Sequence, residues 1–166
     1  MTTAERLVKK MSELGRTFVT AESCTGGGIG NAVCGVPGAS AVFRGGIISY
    51  AVGVKRDVLG VRDEVLDGVG PVSAECAAEM AVGARRVLKA DYAVSVTGLA
   101  GPGGDGVHPA GFVWFGLAST EGVRTESVVF DGDRNEVRAA AVEHALRLLE
   151  KTSEKIPPCA SGGNSV

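Results

Sequence analysis

The sequence predicts an α/β protein: a three-layer α/β/α sandwich around a mixed, mostly parallel sheet. Segments in which apolar residues recur at helical spacing alternate with short apolar runs rich in β-branched residues, a pattern typical of a sheet covered by helices. Glu121 and Gly122 separate two such runs, which is a hairpin signal and adds an antiparallel pair of strands. The 166 residues suffice for one core, so we expect a single domain over residues 1–152 and a mobile tail over residues 153–166.

The first helix and the first strand have clear local signals. Thr2 and Glu5 have the spacing of a capping box, and the apolar residues that follow them lie on one helical face. Gly15 ends this helix, and residues 17–21 predict a short buried strand. A weaker helical signal follows the next glycines and extends to Val33.

The middle of the chain predicts a second strand and two helical segments. Residues 43–52 form an apolar run interrupted by two glycines, which we interpret as a second buried strand. Residues 54–61 have the spacing of one or two helical turns. Ser73 is a favourable N-cap for a longer helix, which keeps its apolar spacing as far as Leu88.

The second half of the chain predicts three strands, a long loop and a final helix. The loop over residues 99–111 contains five glycines and two prolines, and a loop of this length inside a compact domain is usually functional or disordered. Asp133 and Glu136 have capping-box spacing at the start of the last helix. The three strands are expected at residues 92–98, 112–120 and 123–130.

Charge and composition exclude several classes of partner. The chain has 17 basic and 19 acidic residues and 5% aromatic residues, so it lacks both the positive surface and the stacking rings typical of nucleic-acid-binding proteins. No apolar run reaches the roughly 18 residues of a membrane helix, and the N-terminal segment lacks the apolar core of a signal peptide. We therefore expect no nucleic-acid partner, no membrane partner and a cytoplasmic location.

The cysteines and histidines do not predict a metal site. None of the four cysteines has a partner at C-x-x-C spacing, and His108 and His144 are the only histidines of the sequence. We therefore expect reduced thiols, no metal ion and no cofactor.

Three glycine-rich segments each follow or interrupt a predicted strand: Ser23–Gly28, Gly45-Gly46 and Thr97–Gly106. Ligands of open α/β sheets lie beyond the carboxyl ends of the strands, and glycine lets backbone N–H groups approach an anion closely. The three segments together therefore predict a site for a phosphate or carboxylate group. None has the spacing of a P-loop or a dinucleotide-binding motif, and Gly45-Gly46 taken alone is better explained by close backbone packing.

Ser23 has the best position for a nucleophile. It ends a predicted strand and precedes residues 26–28, three glycines whose amides could hold an oxyanion. An N-cap serine is an equally good interpretation of the same residue. Cys24 is the competing nucleophile, but adjacent residues of a strand point to opposite faces, so we expect a buried thiol if Ser23 faces the site.

A serine nucleophile needs a base, and the sequence offers two kinds. His108 lies in the long loop and His144 in the last helix, where ordinary surface histidines are common. Lys55 follows the second predicted strand, five residues after Tyr50. A lysine against apolar walls loses its proton readily, and a tyrosine can relay protons. From the residues alone, Lys55 is better interpreted as a solvated lysine beside Arg56, and Tyr50 as a core tyrosine.

Five segments occur in one order along the chain: TAESCTGG, FRGGIISYAVGVKRDVLGV, GPVSAECAAEMAVGAR, SVTGLAGPGG and PAGFVWFGLA. Together they resemble the C-terminal domain family of the competence-damage-inducible protein, whose single-domain members are similar to nicotinamide-nucleotide amidohydrolases. The resemblance runs from about Thr3 to about Glu150. It implies an α/β/α sandwich and the hydrolysis of the carboxamide of nicotinamide mononucleotide to nicotinate mononucleotide and ammonia in pyridine-nucleotide salvage.

The resemblance also implies which residues form the site. The catalytic serine of the family falls on Ser23, and its tyrosine and lysine fall on Tyr50 and Lys55. Lys55 is then either the base or a phosphate ligand, and Arg134 is a phosphate contact. We also expect a small-molecule nucleotide as substrate and a homo-oligomer. The other residues implied for nucleotide binding are Thr25, Gly26, Gly27, Gly45, Gly46, Thr97, Gly98, Gly101 and Pro102.

Two other functions fit the same sequence. The family name suggests a non-catalytic nucleotide-binding or protein-interaction module linked to competence or DNA repair, and the near-neutral charge means that such a module needs a protein partner rather than DNA. A nucleotide sensor would keep the pocket without turnover. Ammonia release from nicotinamide mononucleotide separates the amidohydrolase from both.

Overall fold

The structure is a computed structural model that describes residues 1–152, so the predicted tail over residues 153–166 lies outside it. The described helices are α1 (Thr3–Leu14), α2 (Gly28–Cys34), α3 (Val52–Asp57), α4 (Asp63–Asp67), α5 (Ala74–Leu88) and α6 (Arg134–Thr152), with a short 3₁₀ helix at Ala39–Ala41. The described strands are β1 (Phe18–Glu22), β2 (Phe43–Ile48), β3 (Tyr92–Gly98), β4 (Phe112–Ser119) and β5 (Gly122–Val129).

The five strands within residues 1–152 form one sheet in the order β2-β1-β3-β4-β5. β1 runs parallel to both of its neighbours, whereas β3 and β4, and β4 and β5, pair antiparallel. Four strands therefore share one direction and β4 is reversed, which confirms the mixed sheet and its hairpin. Glu22 pairs with Ile48 on β2 and with Val96 on β3. Ser23 therefore leaves the sheet at the edge where the parallel strands end.

Helices cover both faces of this sheet. Successive residues of a strand point to opposite faces, and the first two residues of β1 show the result. Phe18 lies in an apolar cluster with residues of α1, α2 and α6, and Val19 lies in a second cluster with residues of α4 and α5. Burial of these two clusters on either side of the sheet confirms the predicted three-layer sandwich.

Three helices begin at the predicted caps. Before α1, the Thr2 hydroxyl accepts a hydrogen bond from the Glu5 amide, and the Glu5 carboxylate accepts one from the Thr2 amide. Ser73 caps α5 with its hydroxyl. Asp133 and Glu136 form the same reciprocal pair before α6. Each cap joins residues three positions apart, which is why short sequence spacings predict them.

The second strand differs from its prediction. β2 ends at Ile48, lies at the edge of the sheet and alternates half-buried with exposed residues, so the buried strand predicted over residues 43–52 is wrong. An edge strand has a single neighbour and remains exposed even where its residues are apolar. A Cβ atom on Gly46 would collide with the Thr20 hydroxyl group, which agrees with close packing at this glycine, whereas one on Gly45 would meet nothing within 4 Å. Apolar spacing does not predict α4, which has only five residues.

Candidate active site

A cleft of about 380 Å³ opens at the carboxyl ends of β1 and β3, beside the segment that follows β2. This is the edge of the sheet at which open α/β folds bind their ligands. Residues from five separate parts of the sequence therefore meet in one place. The cleft is lined by Ser23, Cys24, Tyr50, Val52, Lys55, Pro71, Val72, Thr97, residues 98–104 and Arg134.

Ser23 and Lys55 contact each other in this cleft. Ser23 begins the turn after β1, and Lys55 lies on α3. Lys55 Nζ lies 2.9 Å from Ser23 Oγ, 2.6 Å from the carbonyl oxygen of Ser49 and 3.3 Å from that of Tyr50. Both side chains of the pair are buried, so the solvated lysine that the residues alone favoured is wrong.

Burial shifts the Lys55 amine toward its neutral form. Burial lowers the pKa of the Lys55 amine, because an ammonium group loses its hydration inside the protein. A neutral amine has two N–H groups and one lone pair. Two carbonyl oxygens are in place to accept the two N–H groups, which leaves the lone pair for the hydroxyl proton of Ser23. With this geometry, Lys55 can act as a general base toward Ser23.

Tyr50 reaches Lys55 through its backbone and not through its hydroxyl group. Its carbonyl oxygen accepts the bond from Lys55, whereas its hydroxyl oxygen accepts one from Arg134 Nη2 at 3.1 Å. The residue is 62% exposed, so the interpretation as a core tyrosine is wrong. The structure therefore supports positioning of Lys55 by the carbonyl group of Tyr50. None of these contacts joins the Tyr50 hydroxyl to Lys55.

Arg134 lies at the mouth of the cleft, at the start of α6. Its guanidinium donates to the carbonyl oxygen of Gly101 at 2.5 Å and to the Tyr50 hydroxyl, and so joins the loop after β3 to the segment after β2. Among the described residues that line the cleft, Lys55 and Arg134 have basic side chains and none has a carboxylate. The cleft therefore favours an anionic ligand.

The amides of residues 26–28, which were expected to hold the substrate anion, are already bound within the protein. Gly26 donates to the carbonyl oxygen of Ser23, Gly28 to that of Thr25, and Gly27 to the carboxylate of Glu22. Glu22 is 1% exposed, and its two oxygens accept hydrogen bonds from the amides of Gly27, Ile29 and Gly30 at 2.9 to 3.1 Å. They also accept a bond from the hydroxyl group of Thr25 at 2.7 Å. The glycine amides at the start of α2 are therefore already bound by a residue of the protein.

Glu22 is the functional-site residue that the sequence reasoning missed. An acidic side chain between a strand and a glycine-rich helix start was a usable signal, because carboxylates are stabilised at helix N-termini. Five predicted binding residues do not line the cleft. Three of them lie in the turn that Glu22 holds, and two lie within the sheet. Thr25, Gly26 and Gly27 belong to the turn held by Glu22, and Gly45 and Gly46 lie within β2.

The predicted residues at the end of β3 do line the cleft. Thr97 is buried and its hydroxyl donates to the carbonyl oxygen of Pro71 at 2.7 Å, which ties β3 to the segment before α5. Gly98 has no room for a side chain, because a Cβ atom there would lie 2.6 Å from the Phe112 carbonyl oxygen. Gly101 and Pro102 follow on the cleft wall, joined by a cis peptide bond.

Cys24 is buried, as predicted, beside the nucleophile candidate. It is 6% exposed, and burial raises the pKa of its thiol to about 11. The thiolate is the nucleophilic form of cysteine, so a raised pKa disfavours this residue as the nucleophile near neutral pH.

Neither histidine lines the cleft. His108 lies in the loop after β3, next to Asp105, and stacks on Phe112. His144, on α6, packs against the ring of Phe115, and its Nε2 lies 2.6 Å from a carboxylate oxygen of Glu126 on β5. Both are therefore outside hydrogen-bonding reach of the Ser23 hydroxyl, which leaves Lys55 as the base candidate of this site.

Residues 1–152 contain neither a cluster of metal ligands nor a helix that could span a membrane. No group of three or more histidine, cysteine, aspartate or glutamate side chains in that range is arranged to hold a metal ion. No helix in the same range combines the length and the apolar character needed to span a membrane.

The chain is similar to curated proteins along most of its length. A Halothermothrix orenii protein named for competence-damage induction is 46% identical over 147 residues, which cover 87% of this chain and 36% of that protein. This chain thus spans about a third of the length of that relative. The nicotinamide-nucleotide amidohydrolase PncC of Escherichia coli strain K12 is 41% identical over 151 residues, which cover 90% of this chain and 92% of that enzyme.

A solved structure and a family model agree with these relatives. The crystal structure of a CinA superfamily protein from Klebsiella pneumoniae superposes with a TM-score of 0.90 at 34% identity, covering 93% of this chain and 97% of that one. The model of the CinA C-terminal domain matches residues 1–153. By sequence and by fold, this chain belongs to the CinA C-terminal domain family.

Proposed function

We propose that this chain hydrolyses the carboxamide of nicotinamide mononucleotide to nicotinate mononucleotide and ammonia, as a serine amidohydrolase of pyridine-nucleotide salvage. The observation that carries the proposal is the 2.9 Å contact between Lys55 Nζ and Ser23 Oγ, in a cleft that none of the described carboxylates lines. The substrate class comes from the E. coli relative, which is named a nicotinamide-nucleotide amidohydrolase and aligns over 90% of this chain.

Acylation starts from the neutral form of Lys55. Its lone pair takes the hydroxyl proton as Ser23 Oγ attacks the carboxamide carbon, which gives a tetrahedral oxyanion. The Lys55 ammonium then returns the proton to the amide nitrogen. The C–N bond breaks, ammonia leaves, and Ser23 holds the nicotinate group as an ester.

Deacylation repeats these steps with water. Lys55, neutral again, takes a proton from water as the water oxygen attacks the ester carbon. The second tetrahedral intermediate collapses, Ser23 Oγ leaves and regains the proton from Lys55, and nicotinate mononucleotide is released. The protons move between Ser23, Lys55, water and the substrate.

The turn after β1 offers two amides for the oxyanion. The Gly26 amide closes this turn on the carbonyl oxygen of Ser23. The amides of the two residues between them, Cys24 and Thr25, donate to no other residue in the part of the chain that the structure describes. We infer that these two amides stabilise the oxyanion, the role that the sequence suggested for the amides of residues 26–28, which instead donate within the protein.

Arg134 is the group best placed for the phosphate of the nucleotide. Two of its N–H groups donate to the Gly101 carbonyl oxygen and the Tyr50 hydroxyl oxygen. A guanidinium has further donors for a phosphate oxygen. Lys55 is buried against Ser23 and two carbonyl oxygens, so a phosphate-binding role suits it less well than the role of base.

An assay of ammonia release tests the proposal. Purified protein is incubated with nicotinamide mononucleotide, and ammonia and nicotinate mononucleotide are quantified against the Ser23→Ala variant. Equal amounts of both products from the wild type, and none from the variant, are expected. Stabilisation of the protein by the nucleotide without ammonia release would contradict the proposal and indicate a sensor. The single domain, the homo-oligomer and the cytoplasmic location stay predictions.

A further inference from the structure

The turn that carries Ser23 has few side chains with which to hold itself in place. Gly26 and Gly27 have φ angles of 60° and 96°, in the left-handed region, and a third glycine follows. A run of glycines loses more conformational entropy on ordering than other residues do. Glu22 holds the N–H groups of this turn from one side, through the bonds described above.

Arg138, on α6, holds the carbonyl groups of the same turn. Its Nε donates to the carbonyl oxygen of Cys24 at 3.0 Å, and its Nη2 donates to that of Thr25 at 3.2 Å. A guanidinium is planar and its N–H directions are fixed, so two bonds to successive carbonyl groups define both the position and the tilt of the turn. The Arg138 side chain is half-buried, which makes these charge-assisted bonds stronger than they would be in water.

The turn and α6 fit closely around this guanidinium. A Cβ atom on Gly26 would lie 3.4 Å from Arg138 Nη2, and one on Gly28 would lie 2.9 Å from Val142. Arg134, Arg138 and Val142 recur every four residues and so share one face of α6. On this face, Arg134 lines the cleft, and Arg138 and Val142 lie against the turn that carries Ser23.

We propose that Arg138 is a positioning residue, which holds the turn so that the Ser23 hydroxyl stays aligned with Lys55. Arg138 does not line the cleft, so it acts through the turn and not on the substrate. Its bond to the carbonyl group of Cys24 also polarises the peptide unit whose N–H belongs to Thr25. That N–H is one of the two amides assigned to the oxyanion. The proposal deepens the proposed function and rests on it for the reaction.

Arg138→Gln tests this role, with Arg147→Gln as the matched control on the same helix. Arg147 is exposed and pairs with Glu143. Because small misalignments of a nucleophile cost about 100-fold in rate, kcat for ammonia release is expected to fall about 100-fold in Arg138→Gln, with KM within about threefold. The control is expected to stay within about twofold of the wild type in both constants. A folded Arg138→Gln protein with kcat within about threefold of the wild type overturns the proposal.

Two further measurements keep the test decisive. If Arg138→Gln does not fold, as judged by thermal unfolding, Arg138→Lys replaces it, because lysine keeps the charge but lacks the planar fork. Addition of millimolar guanidinium to Arg138→Ala is expected to recover part of kcat, whereas a defect in overall folding would not respond. No recovery in a folded Arg138→Ala protein counts against the role of the fork.

Failure of the proposed function is distinguishable from failure of this inference. If the wild type releases no ammonia from nicotinamide mononucleotide, the proposed function is wrong, and the role of Arg138 is measured without that substrate. A fluorophosphonate probe then labels Ser23, with intact mass as the readout and Ser23→Ala as the unlabelled control. Labelling of Arg138→Gln about tenfold slower than the wild type supports the positioning role, and equal rates overturn it.

Discussion

Lys55 Nζ lies 2.9 Å from Ser23 Oγ, although the two residues are 32 positions apart in the sequence. The pairing of β1 with β2 brings them together, because Ser23 follows the end of β1 and Lys55 lies on the helix that follows β2. The carbonyl oxygens of Ser49 and Tyr50 complete the surroundings of the amine. A hydroxyl group thereby lies against a buried amine whose pKa is lowered.

Replacing the nucleophile should abolish turnover and leave the fold intact. Ser23→Ala is expected to lower kcat about 10⁴-fold or more, because a lost nucleophile is not replaced by its neighbours. Cys24→Ala is the matched control, since burial raises the pKa of its thiol to about 11. Ammonia release and thermal unfolding measure the two properties. An inactive Cys24→Ala beside an active Ser23→Ala would assign the nucleophile to the thiol.

The base role of Lys55 predicts a pH dependence of definite sign. Protonation removes the lone pair, so kcat/KM should fall as the pH drops through the pKa of Lys55. Because burial lowers that pKa, the fall should be centred below the ordinary lysine value of about 10.4. Lys55→Met should lose turnover, and its residual kcat/KM should not show this fall with decreasing pH. Normal saturated turnover with a raised KM in Lys55→Met would indicate a phosphate ligand instead.

Arg134 should act on the phosphate of the substrate. Arg134→Gln is expected to raise KM for nicotinamide mononucleotide about tenfold or more, with kcat largely unchanged, because it removes a charge-assisted hydrogen bond. Nicotinamide riboside, which lacks the phosphate, is the matched substrate control. Its KM should differ little between Arg134→Gln and the wild type. An equal loss on both substrates would show that Arg134 supports the shape of the cleft and does not read the phosphate.

Removing the Tyr50 hydroxyl should leave the chemical step nearly unchanged. That hydroxyl bonds to Arg134, and the contact of Tyr50 with Lys55 is made by the backbone carbonyl group, which phenylalanine retains. Tyr50→Phe is therefore expected to keep kcat within about threefold, whereas a lost proton relay costs about 100-fold or more. Steady-state kinetics of ammonia release decide between the two, and a 100-fold loss would establish the relay.

The buried carboxylate of Glu22 should stabilise the fold. Glu22→Gln puts an NH₂ group where amides of α2 and the Thr25 hydroxyl donate. The cost is expected to be about 2–4 kcal/mol, a fall in melting temperature of roughly 5–15 °C. Glu13→Gln, at an exposed carboxylate on α1, should change stability by less than about 0.5 kcal/mol. Equal melting temperatures for the two variants would contradict this account.

Local signals in the sequence determined most of the architecture. The caps at Thr2, Ser73 and Asp133 join residues three positions apart. The hairpin turn lies at residues 120–121, one position before the Glu121-Gly122 pair that predicted it. Such features depend on the preferences of neighbouring residues, and so they can be recognised from a single chain. The position of Ser23 at a strand end before glycines was also determined in this way.

The tertiary structure alone decided what surrounds Ser23. Arg138 is 113 and 114 positions away from the carbonyl groups that it binds, and Arg134 is 84 positions from Tyr50. β2 became an exposed edge strand because of its place in the sheet order. The Gly27 amide binds the carboxylate of Glu22, and the amides of Gly26 and Gly28 bind backbone carbonyl groups, in place of a ligand. Contacts between distant residues are set by how the layers pack, and packing adds up many weak interactions that no spacing along the chain encodes.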